Sequence, residues 1–237
     1  MLGRCSSDSR FFSVRALAIF LMAVGWLGLV QTQRAAVAAD PPDTAALSEG
    51  RATLLGVEGK GSKFVYVFDR SGSMGVPGNK PLNRAKAELL RSIDALTDLQ
   101  QFYIIFYNHE QKIFHIDPTG KRLIFGSDLN KRLARQFVDG IQAGGGTHHA
   151  EALLLALRMH PDAIFQLTDG DPPDDLTAEE LARVERANTA GTVINVIQIS
   201  PPDENHDNLL VKLATHSGGR HLYVDFNKSA ESDAEKK

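Results

Sequence analysis

Asp69, Ser71 and Ser73 alternate along the run Asp69-Arg-Ser-Gly-Ser-Met74, which follows at once on Phe64-Val-Tyr-Val-Phe68. A carboxylate and two hydroxyls at alternate positions offer oxygen and neither nitrogen nor sulfur. That donor set suits a hard cation such as Mg²⁺, Mn²⁺ or Ca²⁺ better than zinc. Gly72 lets the chain turn, so the three side chains can point into one small space. Five apolar or aromatic residues in succession, bounded by Lys63, read as a strand covered on both faces, the kind found in parallel sheets. Taken alone, the triplet is also an ordinary polar turn in which the hydroxyls cap and Asp69 accepts backbone hydrogen bonds.

Two further segments add to the donor set. Ala143-Gly-Gly-Gly146-Thr147 is a flexible loop delivering a hydroxyl near the start of the mostly apolar run 150–157. A second strand-like run, Ala163-Ile-Phe-Gln-Leu167, ends on Thr168-Asp169-Gly170 and delivers a second carboxylate. With these three motifs in this order, residues 60–226 resemble the von Willebrand factor type A domain family. The resemblance implies a metal-ion-dependent adhesion site. Ser71, Ser73 and Thr147 would be its hydroxyl ligands, with Asp69 and Asp169 binding directly or through water. It further implies Mg²⁺ as the ion, with Mn²⁺ or Ca²⁺ as alternatives, and a protein partner whose Asp or Glu carboxylate fills the open coordination position. Partner choice would then reside in the loops 75–80, 108–110 and 171–175.

The rest of the chain bounds this reading. Arg4, Arg10 and Arg15 precede the uncharged, largely apolar run 16–30, and Ala35-Ala-Val-Ala-Ala39 supplies small residues for cleavage. Residues 1–39 therefore read as an export signal. Their apolar stretch is short against the roughly 20 residues of a membrane span. Export places the protein in a periplasmic or extracellular space, with membrane attachment through 16–30 if the segment is retained. Cys5 would leave with the signal, so no disulfide or thiol chemistry is available to what remains. Cleavage takes four of the 26 basic and one of the 29 acidic residues, moving the net charge from −3 to −6. No basic stripe with interleaved aromatics is visible, which argues against nucleic-acid binding. Residues 40–59 read as a linker, with a short edge element near Leu54 to Val57, and 227–237 as a disordered tail.

Between linker and tail, strand runs alternate with helical patterns, the signature of a parallel sheet covered by helices. The expected fold is an α/β three-layer sandwich with helices on both faces. Helices are expected over 83–96, over 129–141, after Thr147, from the TxxE capping box at Thr177 to about Gly191, and over 209–216. Beyond the two metal-bearing runs, strands are expected over 101–107, 193–199 and 221–224. The run 112–116 follows 101–107 too closely for a crossover helix and should pair antiparallel near the edge.

Competing chemistry fits less well. Ser71 stands where a haloacid dehalogenase-type phosphatase would need its second aspartate, and the spacing around both serines departs from GxSxG. Asp171, Asp174 and Asp175 suggest a calcium loop with Asp169, but the glycine and glutamate positions of an EF-hand are missing, so these three read as a solvated acidic rim. His148 and His149 read as exposed imidazoles of a first helical turn, and Asn108 and His109 flank the crest without an assigned role. A metal-dependent hydrolase and a permanent structural subunit of an envelope complex are the alternatives to a non-enzymatic binding module.

Overall fold

The computed structural model describes residues 50–78, 80–117, 119–170, 176–199 and 208–225. The expected export signal, the acidic rim 171–175 and the tail 227–237 lie outside them. Chain order begins with a hairpin, β1 (Arg51–Leu54) and β2 (Val57–Lys60), turned by Gly56 at φ 80°. It continues with β3 (Lys63–Asp69), a short 3₁₀ turn (Ser73–Gly75), α1 (Lys80–Asp94), β4 (Gln101–Tyr107), β5 (Gln111–Phe114) and β6 (Ile124–Phe125). Then come α2 (Asp128–Asp139), α3 (His149–Leu157), β7 (Ala163–Thr168), α4 (Ala178–Ala187), β8 (Val193–Gln198), α5 (Leu209–His216) and β9 (His221–Tyr223).

The main sheet runs β5-β4-β3-β7-β8-β9, with β6 pairing antiparallel to the start of β4 beside β5. β4, β3, β7, β8 and β9 are parallel, and β5 is antiparallel as the short connection requires. Side chains alternate between two cores. Phe64, Tyr66 and Phe68 of β3 join Phe102, Ile104, Phe106, Phe165 and Leu167 beneath α1, α2 and the hairpin. Val65 and Val67 face the opposite way, with Ile105, Ile164 and Val196, against α3, α4 and α5. Burial on both faces is why these strands are continuous apolar runs rather than alternating ones. The architecture is therefore the expected three-layer sandwich.

α1 buries Leu82, Ala85, Leu89 and Ile93, one stripe at spacings of three and four. α1 and α2 cap each other. Lys131 Nζ donates to Asp94 O (2.9 Å) and Leu96 O (2.5 Å) at the end of α1, while Lys86 Nζ reaches Asp139 O (3.3 Å) and Ile141 O at the end of α2. The second clamp fixes the chain where it enters the glycine loop. At α4 the capping box forms as read: Thr177 Oγ1 accepts from Glu180 N (3.2 Å) and Glu180 Oε2 accepts from Thr177 N (2.9 Å).

Three expectations need revision. The folded region starts before residue 60, because Ala52, Leu54 and Val57 of the hairpin are buried in the α1/α2-side core. A Cβ on Gly59 would lie 2.8 Å from Phe165 Cζ, so β2 packs flat on the sheet. α4 ends at Ala187 rather than near Gly191, since the Asn188 side chain brackets Thr192 through N–H···O contacts of 2.8 Å each. β6 was not anticipated.

Candidate metal centre

The chain fills β3 first, adds β4 on one side and later β7 on the other, so strand order reverses at β3. Ligand crevices in open parallel sheets form beyond the carboxyl ends of strands at such a point. Asp69 is the last residue of β3 and Asp169 the first beyond β7, its adjacent strand. Asp69 is fully buried, whereas Asp169 is half-buried.

Hydrogen bonds tie the motifs together. Asp69 Oδ1 accepts from Ser71 N at 2.7 Å, closing the turn, and Asp69 Oδ2 accepts from Thr168 Oγ1 at 2.7 Å. Thr168 Oγ1 in turn accepts from Gly170 N at 3.0 Å, which fixes the turn carrying Asp169. Asp69 thus closes its own turn through the Ser71 N–H, as the polar-turn reading expects, and the same turn carries the Ser71 and Ser73 hydroxyls. The glycine loop docks on the same turn through Gly72 N to Gly145 O (2.9 Å) and Gly144 N to Arg70 O (2.8 Å), which brings in half-buried Thr147.

Ser71 Oγ and Ser73 Oγ lie 3.0 Å apart. An octahedral Mg²⁺ with oxygen ligands at 2.0–2.1 Å has adjacent ligands about 2.9 Å apart. The two hydroxyls therefore already stand at the spacing of one edge of such a shell, beside a buried carboxylate. Among the described residues no three His, Cys, Asp or Glu side chains gather into a metal cluster. The oxygens present, carboxylate and hydroxyl, are of the hard type that suits a divalent ion such as Mg²⁺.

Around this crest lie groups to which the sequence assigned no role. Tyr107, at the end of β4 in register with Asp69, is fully buried, and its hydroxyl meets His149 Nδ1 at 2.8 Å. Burial first, and then the Asp69 carboxylate, pushes the Tyr107 phenol well above its ordinary range. His149 is consequently buried, not an exposed first-turn imidazole, while His148 remains exposed. Arg70 is 6% exposed, and its Nη2 donates to Asn108 Oδ1 at 3.0 Å. Burial lowers the pKa of its guanidinium, opposed by Glu110 and Asp69. Position at the strand's carboxyl end marked Asn108 as a flanking residue, and the same signal could have flagged Tyr107.

Fold and crest together define an α/β sandwich with oxygen-bearing side chains at the carboxyl ends of its strands where strand order reverses. The von Willebrand factor type A domain profile matches residues 64–235, and the chain belongs to that family. Domains of this family generally mediate protein–protein interactions without catalysis and commonly bind a divalent metal. Inter-alpha-trypsin inhibitor heavy chain H4 of Homo sapiens is 31% identical over 121 residues, which is 46% of this chain and 12% of that protein. The Bos taurus counterpart is 32% identical over 122 residues, and the chain again spans 12% of its length. Among solved structures, a von Willebrand factor type A protein from Catenulispora acidiphila superposes with a TM-score of 0.62 at 24% identity, covering 75% of this chain and 42% of that one. The conserved hypothetical protein BatB from Bacteroides thetaiotaomicron superposes at 0.52 and 18% identity, covering 74% and 96%. At these identities the structural likeness speaks for the fold alone.

Proposed function

We propose that this protein is a divalent-metal-dependent protein-binding module, not an enzyme, serving adhesion or assembly. Ser71, Ser73 and Thr147 would hold Mg²⁺ through their hydroxyls, with Asp69 and Asp169 contributing directly or through water; Mn²⁺ and Ca²⁺ are the alternative ions. The observation that carries the reading is the 3.0 Å Ser71–Ser73 hydroxyl pair beside buried Asp69 at the strand-order reversal. When bound, the ion supplies a Lewis-acidic position open to an Asp or Glu carboxylate of a partner protein. The chain's own residues do the rest. Thr168 and the Ser71 N–H hold the Asp69 carboxylate in place, and the few negative charges leave a bound ion electrophilic. The exposed neighbours His109, Glu110 and His148 then supply the surface that meets the partner.

We further propose export, with residues 1–39 as the signal. Among the described residues no helix is long and apolar enough to cross a membrane; the run 16–30 lies outside them. The deciding experiment is capture of partners from the cell envelope with Mg²⁺ or with chelator, repeated with Thr147→Ala. Partners lost on chelation and in the variant support the reading. Partners retained equally in all three refute the metal bridge, and metal-dependent turnover of a phosphate or ester would refute the non-enzymatic assignment.

A further inference from the structure

Asn108 stands one residue beyond β4, 2% exposed, with both ends of its amide engaged. Its Oδ1 accepts from Arg70 Nη2 (3.0 Å) and Glu110 N (2.8 Å), and its Nδ2 donates to Gly144 O. Its backbone carbonyl accepts from His148 N (3.1 Å). One residue thus grips the glycine loop at Gly144 and again at His148, with Thr147 between the grips. The loop also presses close: Gly145 sits at φ 80°, and a Cβ there would lie 2.3 Å from His109 Nδ1 and 2.8 Å from Asn108 Nδ2.

Three successive glycines lose more conformational freedom on ordering than any other triplet, so bonds from outside the loop must hold it. The planar amide of Asn108 supplies what is needed: an acceptor facing Arg70 on the metal turn and a donor facing Gly144 on the loop. A carboxylate there would lack the donor, and a serine would not reach both.

We propose that Asn108 is the positioning residue of the metal centre. It joins the Asp69–Ser73 turn to the glycine loop and pre-orders Thr147 for the ion without touching the ion itself. This rests on the metal reading above.

The test is a double-mutant cycle on the full chain with Mn²⁺ as the probe, measured by calorimetric titration or electron paramagnetic resonance. Groups that orient metal ligands typically contribute 10- to 100-fold to metal affinity, so Asn108→Ala should weaken Mn²⁺ binding about 10-fold. In a Thr147→Ala background the same change should cost less than about twofold, because its effect travels through Thr147. In a Ser73→Ala background the full loss should remain. Losses that multiply in the Thr147→Ala background would overturn the proposal while leaving the metal reading intact. Wild type that binds no Mn²⁺ would overturn both. A metal-free arm reads the bracket directly. Amide exchange at residues 144–148 should accelerate in Asn108→Ala while β3 and β7 keep wild-type protection, and unchanged exchange in the loop would refute the proposal. Asn108→Asp, which keeps shape and the Oδ1 acceptor but loses the donor to Gly144, repeats the cycle if the alanine variant does not fold.

Discussion

Thr168→Val isolates one hydroxyl beneath the crest. Valine fills nearly the same volume at this fully buried position, so no cavity term enters. Two bonds are lost: the 2.7 Å donation to Asp69 Oδ2 and the 3.0 Å acceptance from Gly170 N. A hydrogen bond to a charged group contributes about 1.5–3 kcal/mol, and a buried N–H left without an acceptor costs about 1–3 kcal/mol. The two overlap, because relaxation of the turn recovers part of the second, and we expect about 3 kcal/mol in metal-free protein. For a domain of this size that lowers Tm by roughly 6–12 °C, at 2–4 °C per kcal/mol. Thr168→Ser keeps the hydroxyl and loses one methyl, about 1 kcal/mol. Urea and thermal unfolding in chelator would give both values. A valine variant within about 0.5 kcal/mol of wild type, or a serine variant as unstable as the valine one, would refute the account of Asp69 as held by Thr168.

Ser73→Ala and Thr147→Ala should each weaken Mg²⁺ binding while leaving the metal-free Tm within a few degrees of wild type; a steep fall in chelator would show these hydroxyls to be structural. Asp169→Asn keeps shape but removes charge, so Mg²⁺ affinity should drop, and partner binding should fall at limiting Mg²⁺ and recover as metal is raised; titrations at several metal concentrations measure the linkage. Burial lowers the pKa of His221, whose Nε2 lies 3.1 Å from Gln198 Oε1. The folded state therefore binds fewer protons than the unfolded one, and His221 contributes stability that is full above about pH 6.5 and is lost as pH falls through the lower folded value. His221→Gln should flatten urea midpoints between pH 7 and 5, and an unchanged slope would contradict this.

What the sequence made legible follows from where the information sits. β3, β4, β7 and β8 are covered on both faces, so their burial is written as continuous apolar runs. The five candidate oxygen donors could be named from sequence because each stands at a fixed offset from a strand end or a glycine turn. β6 has only two residues, Ile124 and Phe125, too few for any period to register. The first hairpin was hidden because its partner is a tertiary surface: nothing within 51–60 announces that Gly59 will meet Phe165. The same holds for Asn108, whose bonds to Arg70 and Gly144 span 38 and 36 residues. His149 was misread because the buried Tyr107 hydroxyl that receives it lies 42 residues away. Local pattern specifies elements and candidate ligands, whereas the contacts that orient them are written across distant segments.

The described chain enters at Gly50, whose carbonyl accepts from Gly61 N (2.7 Å) just ahead of β3. The candidate metal site lies at the other end of that strand, past seven residues that rise about 23 Å at 3.3 Å each. Gly50 and the candidate site therefore stand at opposite ends of β3. Force applied between Gly50 and the Asp69–Ser73 turn would therefore run lengthwise along β3. Its parallel neighbours β4 and β7 hydrogen-bond it along its length, so they must shear together before the strand can leave the sheet. Pulled from its two ends, β3 is loaded in shear rather than unzipped one bond at a time.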